Sequence, residues 1–343
     1  MINFFNFTRQ DLASYLSATF ELPKFRADQL FKWVYARGIT DFSLMTDIKR
    51  DTREIFKVTF SFPELTLEKK LNSKDGSRKY SFKLSDGSYI ESVFIKQDKR
   101  NTICISSQVG CAMNCAFCQT AKLGFKRNLE VSEIIGQVRF LLYDANAHLQ
   151  DFTNIVFMGM GEPFLNYDNV VKAIDILNDE YGYAFSARKI TVSTCGIVPR
   201  IKDFFEQEIK ASLAVSLNAT TNELRDFLMP INKKYPLEML IEALKEVKLK
   251  GKRKITIEYV MLKGVNDTRE DLGRLRKIVS SLKAKVNLVP YNECDENIFK
   301  TPNEKVVFEF ANNLLNSKIT TTIRYSKGKD IAAACGQLAG KCF

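Results

Sequence analysis

From Asn101 onward, apolar strand-like runs alternate with amphipathic helical stretches, which predicts an α/β fold, a partial (β/α)6-type open TIM-like barrel. Seven runs carry the strand signal: TICISSQ, NIVFMGM, KITVSTC, ASLAVSL, KITIEYVML, KVNLVPY and TTTIRYS. Helical stretches such as VSEIIGQVRFLLYDA, NVVKAIDILNDEY, LEMLIEALKEVKLK and DLGRLRKIVSSLK lie between them. Strand, helix and parallel strand in succession imply right-handed crossovers. Six or seven repeats fall short of the eight of a closed barrel, so an open one is expected, with active residues at the C-terminal ends of its strands.

The first hundred residues read differently. Leu12, Tyr15 and Leu16 share helical spacing, as do Leu30, Phe31, Val34 and Tyr35, so residues 9–57 are predicted to form short helices. LTLEKKL, KYSFKL and YIESVFI are β-like and are divided by Asp75-Gly76 and Asp86-Gly87, two hairpin-turn signals. The expected organisation is a helical accessory domain over 1–60, a β-hairpin extension over 61–100, the partial barrel over 101–326 and a tail over 327–343.

Cys111, Cys115 and Cys118 follow the first barrel strand in the order C-x3-C-x2-C. Three thiolates at this spacing can hold three irons of a 4Fe–4S cluster, which usually takes four cysteines. The fourth iron then keeps an open position, as catalytic metal sites do. Such an iron can chelate S-adenosylmethionine for radical chemistry. The alternatives are a zinc site short of one ligand or three buried thiols. Zinc takes four ligands in paired spacings and no second pair follows, so the pattern favours the cluster.

Other polar residues fall at predicted strand ends. Gly161 and Glu162 close the second strand in MGMGEP, where glycine admits a ligand close to the backbone and the carboxylate can accept from an ammonium group. Ser193 and Thr194 end the third strand, Ser216 and Asn218 the fourth, and Asn292 the sixth. These can bond ribose hydroxyls or adenine edges, or equally cap the helices that follow. Cys335 lies in AAACGQL, a small-residue tail that suits a thiol required to move, and is a candidate nucleophile. Cys104 reads as a buried core thiol. Cys195 follows the third strand, and Cys294 and Cys342 have no evident role. The run Lys245 to Lys254 is expected to end a helix at Gly251 and complement its dipole, with RNA contact as the alternative. His148, the only histidine, reads as a surface residue, which argues against histidine acid–base catalysis.

Composition fits an intracellular enzyme. Hydrophobic residues make up 45% of the 343, ample for a core. No stretch is long and apolar enough to span a bilayer and the N-terminus lacks a signal-peptide pattern, so the cytoplasm is expected and no membrane partner. Eight cysteines in that compartment suggest metal ligation or catalysis more than disulfides. The net charge of +11 favours an acidic polymer such as RNA, although a lysine-rich proteome would give the same count.

The run from Cys104 to Cys118, CISSQVGCAMNCAFC, together with GMGEP, VSTCG, SLNA, MPIN, GVND and AACGQLAG, resembles the RlmN family of radical S-adenosylmethionine RNA methyltransferases. The similarity spans essentially the whole chain. The related Cfr enzymes, which methylate carbon 8 of adenine, share most of these motifs, but Pro163 and the stretch AMNCAFCQTAKLGFKRNL are closer to the carbon-2 enzymes. The resemblance implies the radical SAM class of barrel and methylation of carbon 2 of adenine in 23S rRNA and in tRNA beside the anticodon. It implies Cys111, Cys115 and Cys118 as cluster ligands. Gly161, Glu162, Ser193, Ser216, Leu217, Asn218 and Asn292 would contact S-adenosylmethionine, two molecules of which serve each turnover. Cys335 would carry the methyl group, Glu91 would accept the carbon-2 proton, and Cys104 would attack Cys335 and leave a transient disulfide. An electron donor such as a flavodoxin-type reductant and a thiol reductant would be partners of a monomeric enzyme. By its position alone, Glu91 would be a solvent-facing hairpin glutamate. Two departures from the family pattern stand out: Asn218 where histidine is usual, and Cys195 where serine is usual.

Overall fold

The computed structural model describes residues 1–97, 101–144, 152–249, 251–294 and 298–339. His148 and Cys342 lie outside the described residues. A two-residue strand β1 (Ile2–Asn3), helices α1 (Arg9–Phe20) and α2 (Phe25–Phe31), helix α3 (Arg50–Thr59) and strand β2 (Phe60–Ser61) make up the N-terminal module, β1 pairing parallel with β2. Its core is aromatic: Phe4, Phe31, Tyr35, Phe42, Phe56 and Phe60 are all buried. Thr8 caps α1 through the Asp11 amide.

Strands β3 (Thr66–Asn72), β4 (Arg78–Lys83) and β5 (Tyr89–Ile95) form an antiparallel meander whose turns carry Gly76 and Gly87, both at positive φ. The meander is continuous with the barrel, because β5 pairs antiparallel with β6 (Asn101–Cys104). A small hairpin of β7 (Gln108–Gly110) and β8 (Phe125–Asn128) brackets the cysteine loop and the short helix α4 (Gln119–Lys122). Helix α5 (Val131–Asp144) then leads to β9 (Phe152–Phe157). The remaining elements alternate: α6 (Tyr167–Asn178), β10 (Ile190–Thr194), α7 (Val198–Glu206), β11 (Ser212–Ser216), α8 (Asn222–Leu228), α9 (Leu237–Glu246), β12 (Ile255–Met261), α10 (Arg269–Ser280), β13 (Ala284–Pro290), α11 (Glu304–Asn316) and β14 (Thr321–Ile323).

All seven sequence-predicted barrel strands are present, and they run parallel in the unbroken order β6-β9-β10-β11-β12-β13-β14. Right-handed crossovers that never reverse direction leave every helix on one face. The other face then curls inward as the concave side of an open barrel. Among the described residues β14 pairs only with β13, so the sheet does not close.

The N-terminal module docks on α5. The Asn6 side chain accepts from the Ser132 amide at 2.9 Å, and Arg139 donates to the Val34 carbonyl. Helix α9 ends at Glu246 rather than at Gly251, so only Lys245 lies in its last turn. The dipole account of the basic run therefore holds for that lysine alone. Arg253, Lys252 and Lys248 instead line a surface groove with Arg188, Lys210 and Lys285 at the N-terminal ends of the strands. No helix among the described residues is long and apolar enough to cross a membrane.

Candidate active site

A cavity opens at the C-terminal ends of the strands, where barrel enzymes place their chemistry. Cys111, Cys115, Cys118, Gly161, Glu162, Ser193, Ser216, Asn218, Asn292 and Cys335 all line it. The fold thus gathers around one cavity residues that the sequence scatters over more than two hundred positions.

The cysteine loop is fixed at both ends. The Cys111 amide donates to the Gly124 carbonyl at 2.8 Å, and the Gln119 amide donates to the Gly336 carbonyl at 2.8 Å, next to Cys335. Gly110 permits the first contact: at φ +71°, a Cβ there would sit 1.8 Å from the Gly124 oxygen. Burial raises all three thiols, Cys111 to about 12. Amides of Thr120 and Ala121 oppose this at Cys118. Buried thiols that resist ionisation on their own suit a cationic group that would deprotonate them. Among the described residues no three such side chains converge on one metal ion. A 4Fe–4S cluster takes one thiolate per iron and so spaces its ligands more widely than a single ion does.

Glu162 is 4% exposed. Its two oxygens accept from the Cys195 amide at 2.7 Å and the Phe164 amide at 3.0 Å. Burial raises its carboxyl, and these amides work against that rise. The carboxylate keeps lone pairs for an ammonium group. Gly161, at φ +97°, presses so close to Gln108 that a Cβ would fall 2.5 Å from its side chain. Asn292 donates to Ser326 and to the Cys335 carbonyl, while its Oδ1 is buried with no partner, an acceptor aimed at an absent donor. Three thiols lining one cavity, a buried carboxylate and an orphaned acceptor fit a cluster with S-adenosylmethionine beside it.

Asn218 adopts the left-handed conformation at φ +56°, which asparagine tolerates better than most residues. Its Oδ1 accepts from the Val260 amide and its Nδ2 reaches the Met229 sulfur, so the amide is already engaged within the protein. Leu217 does not reach the wall. Its side chain is 1% exposed in the core, and its carbonyl accepts from Arg225. Cys195 lines the cavity, and burial holds its thiol well above the usual range.

Cys104 sits just behind the wall, buried, its thiol pushed up to about 12 by burial and then by Cys335. Both thiols are free. Glu91 departs from its solvent-facing expectation: it is 1% exposed, 3.3 Å from Lys79, and accepts from the Ala339 amide at 3.0 Å. The tail buries it, a contact across 248 residues that a local pattern cannot anticipate.

Three residues went unremarked in the sequence. Arg324 directly follows β14 and lines the cavity, where Cys335 most of all, then Glu258 and Cys104, favour its charge. Glu258 in β12 accepts from Asn287, and burial raises its carboxyl. Each is a charge within a strand-like run, TTTIRYS or KITIEYVML, which was the available signal. Arg225, wholly buried, carries none.

The Radical SAM superfamily model matches residues 105–275, and the ribosomal RNA large subunit methyltransferase N-terminal domain matches residues 2–61. The chain is 48% identical over 318 residues to the dual-specificity RNA methyltransferase RlmN of Geobacter sulfurreducens, covering 93% of this chain and 87% of that protein. It is 47% identical over 335 residues to that of Desulfosudis oleivorans, covering 97% and 90%. The crystal structure of a radical SAM methyltransferase from Sphaerobacter thermophilus superposes with a TM-score of 0.90 at 36% identity, over 99% of this chain and 100% of that one. By sequence along nearly its full length and by fold, the chain belongs to the RlmN family of radical SAM RNA methyltransferases.

Proposed function

We propose that this enzyme methylates carbon 2 of adenine in 23S rRNA and in tRNA, with Cys335 as the methyl carrier. The observation that carries the reading is that Cys335 lines the same cavity as Cys111, Cys115 and Cys118, while opposing the ionisation of the buried free thiol of Cys104. When bound, the 4Fe–4S cluster on those three cysteines cleaves S-adenosylmethionine reductively and supplies a carbon radical.

The chain's own residues do the rest. Glu162 takes the ammonium of S-adenosylmethionine, and the Oδ1 of Asn292 accepts one of its donors. Cys335 thiolate takes a methyl group from one S-adenosylmethionine and releases S-adenosylhomocysteine. That carbon, after giving one hydrogen atom to the carbon radical, bonds to carbon 2 of adenine, and the adduct would return one electron to the oxidised cluster. Carbon 2 is not nucleophilic, so a route through a carrier carbon replaces direct attack on the sulfonium. Glu91 takes the carbon-2 proton. Cys104, as its thiolate, then bonds to Cys335 sulfur, whose bond to the methylene carbon breaks; that carbon takes up a proton and leaves as the methyl group. An external flavodoxin-type donor and a thiol reductant complete the cycle, and the enzyme works as a cytoplasmic monomer.

Digesting the product RNA to nucleosides tests the reading: 2-methyladenosine is expected, and 8-methyladenosine alone would assign the Cfr reaction instead. A second expected outcome concerns binding. Glu162→Gln keeps an acceptor for the Cys195 amide but removes the charge that faces the ammonium. S-Adenosylmethionine affinity of the cluster-loaded protein should fall about 10- to 100-fold, the scale of one charge-assisted hydrogen bond. Equilibrium dialysis measures it, and an unchanged affinity would remove Glu162 from the binding site.

A further inference from the structure

One buried ion pair holds the Cys335 segment on both sides. Lys79 in β4 is 3% exposed, Glu91 in β5 is 1% exposed, and they lie 3.3 Å apart. In the antiparallel register Lys79 faces Val93 and Ser81 faces Glu91, so the pair is a diagonal cross-strand contact on one face of the sheet. Each partner also binds the tail main chain. Lys79 Nζ donates to the Ala332 carbonyl at 3.2 Å, and Glu91 accepts from the Ala339 amide at 3.0 Å. Cys335 lies between these two points.

Lysine and glutamate are almost never fully buried unless paired. Even a paired couple loses more by leaving water than it regains, unless further hydrogen bonds satisfy it. Here the tail supplies one such bond to each partner, so undocking the tail leaves both less well satisfied. The segment has a separate anchor upstream, where Asp75 accepts from the Gly328 amide and Ser73 donates to Asp330. That anchor would hold the chain in place while the stretch beyond it lifts.

We propose that Lys79 is a positioning residue and that the Lys79–Glu91 pair is the latch of the Cys335 segment. Docked, the Glu91 carboxylate is taken up by Lys79 and the Ala339 amide. Undocked, it gives up the amide and becomes the acceptor for the adenine proton. The latch thus couples movement of the methyl carrier to exposure of the base. This inference rests on the roles assigned above to Cys335 and Glu91.

The test is the rate at which iodoacetamide labels Cys335 in the cluster-loaded protein, read by peptide mass spectrometry, with circular dichroism as the check on general unfolding. Lys79→Met should speed Cys335 labelling ~10- to 100-fold, the loss of one charge-assisted hydrogen bond. Lys79→Arg should restore the slow rate. Ala339→Pro, which deletes the amide that Glu91 accepts and leaves the sheet untouched, should speed it likewise. The latch is overturned if both Lys79→Met and Ala339→Pro label at the original rate, or if Lys79→Arg is as fast as Lys79→Met. If Lys79→Met also unfolds the protein, Ala339→Pro decides: faster Cys335 labelling in a folded variant supports the latch, and anything else overturns it. Labelling needs no turnover, so failure of the carrier chemistry would show separately, as an absence of methyl on Cys335.

Discussion

Cys104→Ala should halt the enzyme after one turnover, with RNA covalently attached to Cys335. Cys104 is a buried free thiol whose ionisation Cys335 opposes, and without it no sulfur displaces the methylene carbon. Multiple-turnover methylation is expected to drop on the order of 10^3-fold or more, the scale of losing a nucleophile. A denaturing gel should show a protein band shifted by the RNA, and the band should vanish in the Cys104→Ala/Cys335→Ala double variant. Free methylated RNA released at the normal rate by the single variant would end the resolving role of Cys104. The thiol, held near 12 by burial, must lose its proton to react, and Arg324 is the cation that opposes the rise. Movement of the tail that admits water to this pocket would lower that barrier.

Arg225→Met should cost the most stability of any single change near the site. Arg225 is wholly buried in α8 and donates to the carbonyls of Leu217, Cys195 and Ser216 and to the Asn232 side chain, at 2.7 to 3.2 Å. It therefore ties the ends of β10 and β11 together directly beneath the cavity. Methionine fills much of the volume but leaves those acceptors buried and unmet. A loss of about 3–5 kcal/mol is expected. For a chain of this length that corresponds to a fall in Tm of roughly 4–7 °C. S-Adenosylmethionine binding should weaken alongside, since Ser193 and Ser216 would lose their fixed spacing. A calorimetric shift under about 2 °C would mean the network contributes little.

The barrel was legible because its strands are buried and announce themselves as short apolar runs, such as NIVFMGM and ASLAVSL, with helical periodicity between them. The ordered strand ends then placed Glu162, Ser193, Ser216 and Asn292 on one rim, and the structure puts all four on the cavity wall. What escaped the sequence depends on distant contacts. In YIESVFI, alternation sets Glu91 and Val93 on one face, but nothing local says that residue 339 will cover that face. The tail's small residues suggested mobility, yet Ala333, Ala334 and Leu338 are buried, small because the segment packs between the cysteine loop and the sheet. Helix α9 was read too long because lysine and glutamate favour helix in any context, whereas Val247 is extended and starts the exit. Arg225 looks like any surface arginine in NELRDFL. Only the neighbouring strand ends, with carbonyls pointing at it, explain its burial.

The most direct test of the account is the mass of the Cys335 peptide from cluster-loaded protein supplied with S-adenosylmethionine. The expected result is one added methyl group on that cysteine, lost on turnover with RNA. An unmodified Cys335 in such protein would contradict the carrier role and leave a radical enzyme that methylates by another route.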